Sequence, residues 1–104
     1  MIDPWLILGF TLEQKKIWRD SYINLEEAVA WREAAFSPSD ASRWVILDIA
    51  PDEAADWRSA GFEPREAIRW INAGFGIIEA AGYRDNGISP DGAILQRREF
   101  PRHL

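Results

Sequence analysis

Apolar residues return every thirteen positions along this chain. Aromatic side chains stand at 5, 18, 31, 44, 57, 70 and 83, the first six tryptophan and the last Tyr83. Five positions after each comes a second apolar residue: Phe10, Ile23, Phe36, Ile49, Phe62, Phe75 and Ile88. Two further on are Leu12, Leu25, Pro38, Pro51, Pro64, Ile77 and Pro90, and three beyond those is an alanine from Ala28 to Ala93, with Lys15 in the first unit. Just before the second apolar residue is a glycine slot, filled by Gly9, Gly61, Gly74 and Gly87 and replaced by Tyr22, Ala35 and Asp48. Overlaid, the segments read W-x-x-x-G-F-x-P-x-E-A-x-x. So strict a period marks one short unit stacked on copies of itself.

Each unit carries the signals of a helix start and a helix stop. Thr11, Asn24, Ser37 and Ser89 precede the apolar or proline position as N-caps, and Gln14 and Glu27 complete capping boxes with the first two. Proline belongs at the first helical position, where its missing N–H costs nothing. The glycine slot then ends the helix in a left-handed turn, which Asp48 tolerates best and Tyr22 worst among the replacements, and the following Phe or Ile folds back on the last turn. The predicted helices cover 12–21, 25–34, 38–47, 51–60, 64–73, 77–86 and 90–98, after a partial turn from Pro4 to Leu8.

One continuous helix is excluded by geometry. At about 100° per residue, thirteen residues turn a side chain by about 220°, so the tryptophans would form no seam. Four interior prolines would each cost about 3 kcal/mol. Within a short helix, proline, alanine and tryptophan at steps of three share one stripe, and large indoles packed against small alanines make a core. The expected fold is all-α: tandem thirteen-residue, one-helix repeats, about seven short helices stacked as a compact superhelix or solenoid. One repeat domain is expected over 1–96, followed by a basic tail at 97–104, because Gln96 stands where the next aromatic is due. Common α-solenoids stack two-helix units of about 34–45 residues, and this unit departs from them.

Composition narrows the function classes. The chain has no cysteine, which removes disulfide frameworks and thiolate metal sites, and the apolar run Trp5 to Phe10 is too short for a signal-peptide core or a membrane span. A cytoplasmic protein is expected. A formal net charge of −5 disfavours sequence-independent nucleic-acid binding. The single histidine, His103, lies two residues from the end, so histidine-based catalysis and metal sites have no support, and no cofactor is expected.

One position does gather charge. Directly after the aromatic come Arg19, Arg32, Arg58, Arg84 and Arg97, interrupted by Val45 and Ile71. In a stack such positions form a column, read here as the candidate partner-binding residues, with acids from Glu13 to Asp91 on the opposite edge. The alternative is that these arginines and acids complement helix dipoles. The run Trp44, Val45, Ile46, Leu47 followed by Ile49 is expected to be an unusually buried helix, with an exposed partner patch as the alternative. The paired carboxylates Glu26–Glu27 and Asp52–Glu53 sit at helix starts as solvated charge.

Three functions follow. The first is a non-enzymatic protein-interaction or scaffolding module, with a protein partner and self-association through one end of the stack. The second is nucleic-acid binding through the arginine column and tail. The third is a small-ligand protein or enzyme with a pocket between helices.

Overall fold

The computed structural model describes residues 1–99, and among them the chain is all helical, with eight short helices and no strand. They are α1 (Pro4–Ile7), α2 (Leu12–Asp20), α3 (Leu25–Glu33), α4 (Pro38–Val45), α5 (Pro51–Ser59), α6 (Pro64–Asn72), α7 (Ile77–Asp85) and α8 (Pro90–Glu99). Residues 100–104, with Arg102 and His103 of the expected tail, lie outside the described residues, while Arg97 and Arg98 belong to α8.

Two compact units divide the chain, Met1–Ala55 and Asp56 onward, with the division inside α5. In the first unit α1 packs on α2 and α3 on α4; in the second α7 packs on α8.

Helix starts follow the sequence signals. Thr11 Oγ1 accepts from the Gln14 amide while the Thr11 amide donates to Gln14 Oε1, and Asn24 and Glu27 repeat the exchange. Ser37 Oγ accepts from the Asp40 amide and Ser89 Oγ from the Gly92 amide. Glu66 and Glu79 reach back to the amides of Glu63 and Gly76, which cap α6 and α7 without a side-chain acceptor of their own.

Helix ends repeat one motif seven times. At α1 the Phe10 amide donates to the Trp5 carbonyl and the Gly9 amide to the Leu6 carbonyl, and the same pair of bonds recurs at every unit through Ile88 and Gly87. This is the Schellman arrangement, which requires a left-handed residue in the glycine slot. All seven slot residues have positive φ, including Tyr22 at 61°, Ala35 at 64° and Asp48 at 59°. From α2 to α7 the helices stop one or two residues short of the predicted bounds, because that closing turn is not helical.

The stripe predicted from spacing is the core. All six tryptophans are buried, and the alanines from Ala28 to Ala93 are completely so. Phe10, Phe36, Phe62 and Phe75 each pack edge-on against the tryptophan before them, as with Trp31 and Phe36 at 4.9 Å and 89°. The next tryptophan closes the cluster, Trp44 lying 6.4 Å from Phe36. Tyr83, in the seventh aromatic position, stacks on Trp70 at 6.0 Å and remains half-buried. In the alanine slot of α2, Lys15 instead meets the Asp3 carboxylate at 2.6 Å.

Candidate functional site

A Schellman turn satisfies the carbonyls of the tryptophan and of the residue after it, leaving the C-cap carbonyl exposed at the negative end of the helix. Arg32 and Arg84 of the column take that carbonyl. Arg32 Nη1 donates to Leu8 O at 2.6 Å, twenty-four residues back, with its guanidinium 4.1 Å from the centre of the Phe10 ring. Arg84 does the same to Ala60 O at 2.7 Å and Phe62 at 4.2 Å. Arg97 keeps the ring, lying 3.9 Å from Phe75, but gives its hydrogen bond to Glu79 Oε2 at 2.9 Å. Each clamp joins a helix to the one two units earlier, combining a charged hydrogen bond or ion pair with a cation–π contact. Arg32 and Arg84 thus lie in the last turn of their own helices, as the dipole reading has it, and also meet the C-terminal end of a helix two units earlier.

Two column members remain. Arg58 is exposed in the last turn of α5 and is partnered. Arg19 is exposed, makes no hydrogen bond or ion pair among the described residues, and helps hold the Asp3 carboxyl below its ordinary pKa, behind the larger effects of the Lys15 hydrogen bond and the Trp5 amide.

Glycine eases the approach of the guanidinium at Gly61, while Gly74, beside the Arg97 ring contact, has open space. A Cβ on Gly61 would stand 3.3 Å from Arg84 Nη1, and one on Gly9 3.5 Å from Arg32 Nη1. Val45 occupies the arginine position of α4, and the slot and ring positions it faces by the same spacing hold Tyr22 and Ile23 instead of glycine and phenylalanine. The arginine and ring positions thus change together, and the slot carries the larger side chains where they do. The same spacings couple Ile71 to Asp48 and Ile49 in the sequence, and Arg58 to Ala35 and Phe36. Overlaying single repeats hides this correlation; comparing each repeat with the one two before it would have exposed the clamp.

The result is a groove in the first unit. Asp20, Ser21, Tyr22, Ser42, Val45 and Ile46 line most of a space of about 590 Å³ between the C-terminal ends of α2 and α4, and Arg43, itself partnered, completes its rim. Tyr22 is 92% exposed and Ile46 82%. Burial of the α4 apolar run, expected from the sequence, holds for Ile49 and fails for Ile46, which stands two after the aromatic, the outward position held by exposed Asp20, Glu33, Ser59, Asn72 and Asp85 in other repeats. No donor among the described residues reaches the Ser21 carbonyl, the counterpart of Leu8 O and Ala60 O. A left-handed backbone costs a non-glycine residue about 1–2 kcal/mol, and Tyr22 bears it with its ring in water.

Among the described residues no helix is long and apolar enough to cross a membrane, and no group of three or more histidine, cysteine or acidic residues is placed to hold a metal ion. No family model matches the chain, and no curated protein or solved structure matches it either.

Proposed function

We propose that this protein is a non-enzymatic helical-repeat binding module that holds a protein partner in the groove between α2 and α4. The observation that carries this reading is the exposed pair Tyr22 and Ile46, two large apolar side chains standing in water beside a turn of the first unit that faces Val45 instead of an arginine. An apolar patch with a polar rim, one of its members held in a strained conformation, is the surface expected of a recognition site rather than of a passive face. The arginine column supports binding less than its sequence pattern promised, since Arg32, Arg84 and Arg97 are committed to packing and charged contacts within their own units. Nucleic-acid binding loses the same residues and faces a net charge of −5. A chain without cysteine suits a reducing compartment, in keeping with a cytoplasmic role.

Affinity purification from the source cell with the full chain and with its Ile46→Ser and Tyr22→Gly variants tests this. A partner held by the wild type and lost by both variants is the expected result. A partner retained by both, and lost instead with Arg19→Ala or Arg58→Ala, would return the function to the column.

A second reading, self-association, is favoured by the N-terminal end, where Ile2, Ile7 and Leu12 are all at least 65% exposed. Light scattering is expected to show a dimer that Ile7→Ser with Leu12→Ser converts to monomer. A wild-type monomer at high concentration would remove this reading.

A further inference from the structure

We propose that the groove between α2 and α4 accepts an arginine side chain from a partner polypeptide, which completes from outside the clamp that the chain lacks there. This rests on the groove being a binding face and adds the chemistry of what enters it.

The protein itself shows how a guanidinium binds at such a turn. At α1 and at α5 the C-cap carbonyl accepts from Nη1 and an aromatic ring lies beneath the guanidinium plane. At α2 both kinds of partner are present without the arginine. The Ser21 carbonyl has no donor among the described residues, and an exposed aromatic ring stands beside it on Tyr22 instead of at the buried ring position, which holds Ile23. Moving the ring from a buried site to an exposed one suits a cation arriving from solvent.

Charge complementarity points the same way. The groove is walled by the C-terminal ends of two helices, each carrying partial negative charge, and by the Asp20 carboxylate. Asp20 pairs with Lys16 at 2.8 Å, but both side chains are more than half exposed, so an incoming guanidinium can replace the lysine at little cost. The opposing charge at the rim, Arg43, is engaged already. Lysine would satisfy the carboxylate, but it lacks the flat fork that reaches a carbonyl while stacking on a ring. Val45 and Ile46 supply apolar surface for the residues flanking the arginine.

The test selects binders from a displayed library of random peptides on the full chain, then measures synthetic peptides of the recovered sequences by titration. Arginine should be enriched at one fixed position, and its replacement by glutamine or lysine should weaken binding about tenfold or more, as loss of a charged hydrogen bond with a ring contact does. Two variants should abolish the selected binding: Tyr22→Gly, which removes the ring and relaxes the backbone, and Val45→Arg, which supplies an internal competitor. Peptides without arginine that are lost on Tyr22→Gly and Ile46→Ser would overturn the arginine inference and leave the groove as a binding face. Recovery of no peptide, or of peptides indifferent to all three substitutions, would overturn both.

Discussion

Tyr22 is the residue at which local preference and observed structure disagree most. Its φ of 61° belongs to glycine, and four other units place glycine there. Replacing it with glycine removes about 1–2 kcal/mol of backbone strain and returns part of that as unfolded-chain entropy. Tyr22→Gly should therefore raise stability by about 0.5–1 kcal/mol in a urea titration while removing the binding face. A loss of stability would mean that the tyrosine ring serves the fold. Asp3 offers a different test. Its carboxyl is held below the ordinary value, first by the Lys15 hydrogen bond and then by the Trp5 amide. A folded pKa below the unfolded one means that the contribution is present above the ordinary carboxylate range and disappears as pH falls through that range toward the folded value. Asparagine keeps the N-cap but not the charge. Asp3→Asn should lower the thermal midpoint at pH 7 and match the wild type near pH 2, by calorimetry at both pH values.

At the scale of the element, helices of eight to ten residues have no stability of their own in water, so their neighbours make them. Trp57 is 2% exposed and lies 4.9 Å from Phe62. Trp57→Ala should cost about 3–5 kcal/mol by urea unfolding, and a cost below about 1 would refute its packing role. The clamp is weaker and more specific. Arg84→Ala should cost about 1–2 kcal/mol, and Arg84→Lys should recover only part of that loss, because an ammonium reaches the Ala60 carbonyl without covering the Phe62 ring. Equal stability of the lysine and wild-type proteins would reduce the clamp to simple charge. Helix starts and stops were legible because each rests on contacts within a few residues: a hydroxyl three positions before an amide, a glycine where φ is positive. The clamps were not, since each joins residues in helices two repeats apart, and a pattern read within one unit contains no trace of a partner outside it.

For the whole chain, the thirteen-residue period identified the class of fold and the buried stripe, while the departures from the period mark where the chain does something else. Val45, Tyr22 and Ile23 are unremarkable one at a time, as a valine in a helix, an odd turn residue and a core isoleucine. Together they are one missing clamp and one open groove. Repetition in the sequence points to the charged column for binding, and the structure turns Arg32, Arg84 and Arg97 of that column to its own packing. Exposure at Ile46 was legible in the overlay of the repeats, where its position is Asp20, Glu33, Ser59, Asn72 and Asp85 in other units, but the apolar run around it pointed to burial. If the correlation among these positions is causal, the absent clamp can be built. The decisive measurement is urea unfolding of the triple variant Tyr22→Gly, Ile23→Phe, Val45→Arg beside Tyr22→Gly alone. The triple variant should be the more stable by about 1–2 kcal/mol, the worth of a charged hydrogen bond with a ring contact. A triple variant no more stable than Tyr22→Gly would contradict it.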